Sequence, residues 1–484
     1  MSERNLTLLT DLYELTMMQG YFHAKDANET VIFDAFYRTN PDGNGFAITA
    51  GLEQVVEYIE NLHFDKEDID YLRTTGLFGE DFLEYLADFK FTGDIYAIPE
   101  GTVVFPREPL VKVIAPIMQA QLVETAILNI INHQSLIATK ANRICRAANG
   151  RTVLEFGSRR AQGADAAIIG ARAAYIGGCA GTACTISDQL YGVPAGGTMA
   201  HAWVQMFDTE YDAFKTYCEL YPGNAIMLVD TYDTLRSGIP NAIRAFDEVL
   251  RPKGITKCGI RLDSGDLAYL SKKARKMLDE AGFPDAVISA SNDLDEYLID
   301  SLKVQGCKIT SWGVGTHLIT SKDWPSFGGV YKLAAIQDAQ SGEFIPKIKL
   351  SENSEKITNP GNKKIYRIYE KDTGKIKADL ICLVDETYDE NDPLVLFDPN
   401  EPWKKTKLLP GTYELRELMV HVFDHGNCIY HSPKVMDIRD YCQKELETLW
   451  EETRRLVNPH GVYVDLSQKL YDMKISLLNQ MSQV

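Results

Sequence analysis

Four short segments combine residue types that chemistry on an anionic small molecule would need. RLDSGD at 261–266 sets Arg261 and Asp263 two residues apart, so on an extended chain a guanidinium and a carboxylate face one side. The cation suits a phosphate or carboxylate and the anion suits hydroxyls or Mg²⁺; an ion pair between them is the structural alternative, and the two readings are compatible. EFGSRRAQG at 155–163 places Phe156 three residues before Arg159 with Gly157 between them. A ring beside a guanidinium suits a flat anionic heterocycle, and a core phenylalanine with a surface arginine is the plain alternative. AGGTMAHAW at 195–203 carries His201 among small residues, where the imidazole can approach a substrate closely or serve as a satisfied structural histidine. GVGT at 313–316, after the strand-like ITSW, offers backbone N–H groups and a hydroxyl to a phosphate, or forms an ordinary turn.

Several common chemistries lose their usual support. There is no GxSxG, P-loop or GxGxxG segment. Among the nine histidines, His421 and His425 are four residues apart, but Val422 stands where HExxH would need a glutamate, so no zinc site is expected. The nine cysteines are dispersed and contain no CxxC pair, which reads as buried free thiols.

Residues so far apart in sequence need a scaffold that delivers them to one place. From residue 150 short apolar runs recur: TVLEF at 152, AIMLVD at 225, CGIRLD at 258, AVISAS at 286 and ITSWG at 309. Each reads as a strand buried on both faces, and the amphipathic stretches Ile243 to Leu250 and Leu267 to Leu278 read as crossover helices. A barrel-like or doubly wound α/β domain follows. Polar residues gather where each strand should end: Glu155 and Arg159, Asp230 and Asp233, Arg261 with Asp263 and Asp266, Asn292 with Asp293, and GVGT. In α/β barrels that edge carries the active site, so a phosphorylated ligand is expected, although any one of these residues can simply cap the next helix.

Around this unit, residues 1–125 read as an N-terminal α+β domain and 126–345 as the catalytic α/β domain, opening with helices over Gln119 to Asn149. Residues 346–484 form a smaller C-terminal region with a hairpin at YEKDTGKIKADLICLV and a charged helix from Tyr441 to Leu456. The 484 residues are 45% hydrophobic and 24% charged, a globular composition. With 68 acidic against 50 basic side chains the net charge is −18, which argues against nucleic acid or an anionic membrane as a partner and makes any phosphate site local. The N-terminal residues carry no signal-peptide pattern and no apolar stretch spans a bilayer, so a cytoplasmic protein is expected.

TDLYELTM at 10–17, EFGSRRAQG, GTMAHAW, RLDSGD, SNDLDE at 291–296 and GVGT occur in an order that resembles the nicotinate phosphoribosyltransferase family, and the likeness extends through VYKL at 330 and KITNPG at 356. The resemblance implies an irregular TIM-like α/β barrel with an N-terminal α+β domain. It implies condensation of nicotinate with phosphoribosyl pyrophosphate (PRPP), assisted by ATP and Mg²⁺, to give nicotinate mononucleotide and pyrophosphate in NAD salvage, and a homodimer with shared active sites. Carried onto this sequence, it pairs Phe156 with the partner subunit's Tyr13 around the pyridine ring. Arg159 and Arg261 fall to the anionic groups, Thr198 to nicotinate, Asp263 to the ribose and Mg²⁺, Asn292 and Asp293 to substrate, and Gly315 with Thr316 to the 5-phosphate. His201 is the histidine that the family phosphorylates. The related nicotinamide enzymes carry an acidic residue after a Gly-Thr pair, where Ala183 follows Gly181 and Thr182 here, which favours the carboxylate substrate. The alternatives are a nicotinamide enzyme, a decarboxylating quinolinate transferase, against which the GTMAH segment speaks, and a PRPP-sensing protein, which would be expected to have lost Arg261, Asp263 or His201.

Overall fold

The apolar runs from residue 150 onward form strands because both of their faces are covered. Val153, Leu228, Ile260, Leu262, Ile288, Ala290, Trp312 and Val314 are all almost wholly buried. Each large aliphatic side chain so covered contributes about 1.5–3 kcal/mol relative to exposure. The computed structural model describes residues 4–24, 28–351 and 356–481. They divide into two compact units, residues 137–325 and residues 1–136 with 326–484.

The 137–325 unit holds six parallel strands in the order Gly181–Thr182, Thr152–Glu155, Ser311–Val314, Val287–Ala290, Cys258–Leu262 and Ala225–Leu228. Helices such as Ala164–Ile176, Glu210–Leu220, Leu267–Glu280 and Glu296–Val304 connect them. The architecture is mixed α/β, and its parallel sheet is open, since the two edge strands do not pair with each other. Register matters more than strand count for function. Leu228 pairs with Arg261, Ala290 with Leu262 and Trp312, Val314 with Glu155, and Glu155 with Thr182. The C-terminal ends are therefore level, and the residues just beyond them emerge along one edge.

The other unit is built on a seven-stranded antiparallel sheet ordered Phe344–Pro346, Val330–Gln337, Thr30–Phe36, Val111–Pro116, Asp94–Ala97, Val420–Asp424 and Asn427–Cys428. A second sheet orders Tyr413–Glu417, Lys363–Glu370, Lys375–Leu383 and Tyr463–Leu466, and includes the hairpin expected at YEKDTGKIKADLICLV. These pairings redraw the expected three-part division. The edges of Thr30–Phe36 and Asp94–Ala97 are completed by Val330–Gln337 and Val420–Asp424, so segments from both ends of the chain share one sheet and residues 326–345 belong with them. The boundary near 136 falls inside the 25-residue helix Glu124–Ala148. The charged helix expected over Tyr441 to Leu456 instead spans Val435–Glu447. Lys375 Nζ donates to the Glu447 carbonyl at 2.6 Å and the Trp450 indole donates to the Ile376 carbonyl at 3.0 Å, ties that take the chain out of the helix. No helix among the described residues is long and apolar enough to cross a membrane.

Candidate active site

The polar residues at the level strand ends sort into two groups. Asp233 and Asp266 cap helices: Asp233 Oδ1 accepts from the Leu235 and Arg236 amides at 3.2 and 2.8 Å, and Asp266 Oδ1 from the Tyr269 amide at 2.9 Å. Asp230, Arg261 and Asp263 converge instead. Asp230 Oδ2 accepts from the Asp263 amide at 2.8 Å and the Ser264 hydroxyl at 2.7 Å, while its Oδ1 is buried with no hydrogen-bond partner among the described residues. The Asp230 carboxylate is thus fixed against the Asp263 amide and the Ser264 hydroxyl, with one oxygen left over for a ligand.

Arg261 emerges next to them from Cys258–Leu262, and its Nη1 donates to Thr198 Oγ1 at 2.6 Å. Thr198 is held in place by its loop: the Thr182 amide donates to the Pro194 carbonyl at 3.0 Å, the Gly196 amide returns to the Thr182 carbonyl at 2.8 Å, and Asn224 Nδ2 donates to the Gly197 carbonyl at 2.9 Å. Burial pulls the Arg261 pKa down, Asp263 and Asp230 offset it, and Arg159 adds repulsion. Its Nε is buried and lacks a partner among the described residues. A desolvated guanidinium with an unused N–H is a receptor for an anionic group.

His201 opens the short helix His201–Gln205 at the far end of the same loop. Its Nδ1 lies 3.0 Å from Thr231 Oγ1 and its Nε2 lies 3.8 Å from Asp263 Oδ2. Asp263 Oδ1 in turn accepts a hydrogen bond from Ser291 Oγ. One imidazole nitrogen is thus oriented by a hydroxyl and the other faces the Asp263 carboxylate, the arrangement expected of a nucleophile or proton carrier rather than a core histidine.

Phe156 is positioned by its neighbours. Its amide donates to the Val314 carbonyl at 2.7 Å, and Glu155 beneath it is fully buried, accepting from the Gly157 amide and, at 2.5 Å, from the Thr182 hydroxyl. Burial raises the Glu155 pKa against the opposing effect of those bonds. The ring lies against Gly313, where an added Cβ would stand 2.5 Å from Phe156 Cδ2, and the Phe156 carbonyl lies 3.2 Å from where a Cβ of Gly315 would be. Gly313 thus makes room for the aromatic. Gly313→Ala is expected to cost about 1–3 kcal/mol by overpacking, read as a lower urea midpoint with unchanged slope; an unaltered midpoint would mean that the ring is free to swing away.

The structure brings together Thr198, His201, Arg261 and Asp263 directly, and sets Phe156 against Gly313 and Gly315. Arg159, on the one-turn helix Ser158–Arg160, is solvent-exposed and acts on Arg261 through its charge. Thr316 begins the four-residue helix Thr316–Ile319. Asn292 and Asp293 follow Val287–Ala290 with φ of 91° and 41°, left-handed values that are strained for residues with side chains and that often accompany function. Tyr13 lies in the other unit, half-exposed in the first turn of Leu12–Ala24. Sequence reasoning did not single out Thr231 and Ser291, the hydroxyls that hold His201 and Asp263. Each sits just past a strand run, which was the available signal.

Comparison with known proteins bears on this geometry. A family model described as the nicotinate phosphoribosyltransferase (NAPRTase) N-terminal domain matches residues 8–132, and the model of that enzyme's C-terminal domain matches 362–474. A nicotinate phosphoribosyltransferase of Bacillus subtilis (strain 168) is 46% identical over 478 residues, 98% of this chain and 96% of its own. One from Caenorhabditis elegans is 35% identical, covering 96% of this chain and 92% of its own. The crystal structure of human nicotinic acid phosphoribosyltransferase superposes with a TM-score of 0.83 at 28% identity, over 97% of this chain and 100% of that one.

Proposed function

Because the chain belongs to the nicotinate phosphoribosyltransferase family, we propose that His201 couples the family's reaction to ATP hydrolysis at the 137–325 sheet edge. The reaction itself is phosphoribosyl transfer to nicotinate. The pyridine nitrogen bonds to C1 of PRPP, the C1–oxygen bond breaks, and pyrophosphate leaves with the electron pair. Positive charge develops on the ribose and negative charge on the leaving group, so fixed cations and carboxylates on opposite sides lower the barrier. The observation that carries the reading is the meeting of Thr198, His201, Arg261 and Asp263.

With the Thr231 hydroxyl accepting from Nδ1–H, the His201 Nε2 lone pair attacks the γ-phosphorus of ATP; the bond to the bridging oxygen breaks and ADP leaves with the pair. The phosphoryl group adds negative charge beside Asp263, and its hydrolysis by water restores the neutral imidazole and favours product release. Arg261 and Arg159 receive the carboxylate and phosphate groups, Thr198 touches nicotinate, and Phe156 stacks on its ring with Tyr13 of the partner subunit in a homodimer. Asn292 and Asp293 contact substrate, and Gly315 and Thr316 take the 5-phosphate. Asp230 and Asp263 suit Mg²⁺, being hard oxygen donors with a buried Asp230 Oδ1 left over. When bound, the ion neutralises charge on the pyrophosphate. Ala183, with no charge, favours nicotinate over nicotinamide. The open six-stranded sheet is read as the family's irregular barrel, and the cytoplasm as its compartment.

The test compares nicotinate mononucleotide formation from PRPP, Mg²⁺ and nicotinate, with and without ATP, in wild type and His201→Ala. ATP should stimulate the wild type strongly and the variant not at all, with some PRPP-dependent product persisting. Full stimulation of the variant would remove His201 from the coupling step.

A further inference from the structure

A second constellation lies in the other unit, at the end of the seven-stranded sheet. Asp94 begins the strand Asp94–Ala97, and His421 and Asp424 sit on its antiparallel neighbour Val420–Asp424. On a regular strand, residues three apart face opposite sides. Here the register slips between His421 and Phe423, and Val422 and Phe423 are both buried, so His421 and Asp424 share the outer face. The turn that follows has His425 at φ 48° and Gly426 at φ 80°, the left-handed pair of a tight hairpin, which folds the His425 ring back onto the strand.

Three donors, from Asp94, His421 and Asp424, converge as a result, and the His425 ring stands beside the two carboxylates. His421 Nε2 lies 3.9 Å and His425 Nδ1 lies 3.7 Å from Asp94 Oδ1, and His425 Nδ1 lies 2.7 Å from Asp424 Oδ1. One ligand atom from each of Asp94, His421 and Asp424 lies within 4.8 Å of the others. The His421 ring is fixed by stacking on Tyr96, with centroids 4.4 Å apart and planes 4° from parallel. Its Nε2 is buried and has no hydrogen-bond partner among the described residues. Neither carboxylate pairs with a lysine or arginine among those residues. Asp94 Oδ1 also accepts from the His425 amide at 2.7 Å, so two carboxylates and an unused imidazole nitrogen lie together with only the His425 ring beside them as a possible counter-charge.

We propose that Asp94, His421, Asp424 and His425 bind a divalent transition cation, best matched by Zn²⁺. Two imidazoles and two carboxylates favour a borderline ion over Mg²⁺ or Ca²⁺. In a tetrahedral zinc site neighbouring donor atoms stand about 3.3 Å apart, so the separations of 3.7 and 3.9 Å must contract, the 2.7 Å contact between His425 and Asp424 must open, and the His425 ring must turn in to join the other three donors. No HExxH helix is needed, because a strand, a bulge and a turn deliver the same ring nitrogens. Four protein ligands leave no open position, which marks a structural site. The ion would clamp residues 94 and 421, far apart in sequence, and so restrict the unfolded chain.

The test uses the untagged full-length protein, stripped with a chelator and then saturated with Mg²⁺ to occupy the 137–325 site. Co²⁺ titration followed by visible absorption should give four-coordinate bands saturating at one equivalent and bleached by Zn²⁺. His421→Ala, and independently His425→Gln on the exposed turn, should weaken Co²⁺ binding on the order of tenfold or more, while Asp263→Asn should leave it unchanged. Zn²⁺ should raise the Tm of wild type and not of these two histidine variants. Absence of the bands, or equal binding by wild type and both histidine variants, would overturn the site.

Discussion

Arg261→Ala is expected to lower kcat/KM for nicotinate mononucleotide synthesis by about 10²- to 10³-fold, the loss typical when one preorganised donor to a developing or substrate anion is removed. The guanidinium is desolvated, braced at Nη1 by Thr198 and left with a free buried Nε, so its charge is aimed at a ligand rather than consumed by the fold. Stability should change little: the variant loses one hydrogen bond to Thr198, worth about 0.5–1.5 kcal/mol net, and is relieved of a partly buried charge. Arg261→Lys should recover only a small part of the activity, because an ammonium cannot reproduce the planar fork. Steady-state kinetics on variants with matched melting curves decide the matter; near-normal turnover in Arg261→Ala would take the residue out of the site.

The largest expected loss of stability lies in the other unit. Arg367 and Asp379 are fully buried and joined by two hydrogen bonds, Nε to Oδ1 at 2.9 Å and Nη2 to Oδ2 at 2.6 Å; Glu445 accepts from Arg367 Nη1 at 3.3 Å and from Arg416 Nη1 at 2.6 Å. Glu108 lies close enough that burial and Asp379 hold its pKa well above the ordinary carboxylate range. Arg367→Met would leave the Asp379 carboxylate buried without its main counter-charge, costing about 3–5 kcal/mol, whereas Arg367→Met with Asp379→Leu should recover most of that, since a well-packed apolar pair often replaces a buried ion pair without loss. Urea unfolding of the two single variants and the double variant closes the cycle. A small effect of the single arginine variant would indicate that water reaches the network.

Much of the candidate site was legible because the groups that the structure gathers there come from residues next to one another in sequence. Arg261 and Asp263 share one strand end, Thr198 and His201 share one loop, and Glu155 and Phe156 are adjacent, so short motifs announce them. Their supports were less visible. Thr231 and Ser291 act through single hydroxyls at the ends of other strands, and Asp230, noted only as one of several polar strand ends, becomes a site residue through its bond to the Asp263 amide. Such contacts depend on which strands are neighbours, which local composition does not encode.

The sequence by itself determined the parallel α/β core from residue 150, because strands buried on both faces must be written as continuous apolar runs with polar residues at their ends. It also determined the family, through ordered motifs spread across the chain. Tertiary structure alone decided which polar ends cap helices, as Asp233 and Asp266 do, and which turn together, as Asp230, Arg261 and Asp263 do. It alone joined Thr30–Phe36 to Val330–Gln337 in one sheet and gathered Asp94 with His421 and Asp424, beside His425. The reason is the same in each case: register, bulges and edge pairing are set by partners hundreds of residues away, and they decide which face a side chain occupies.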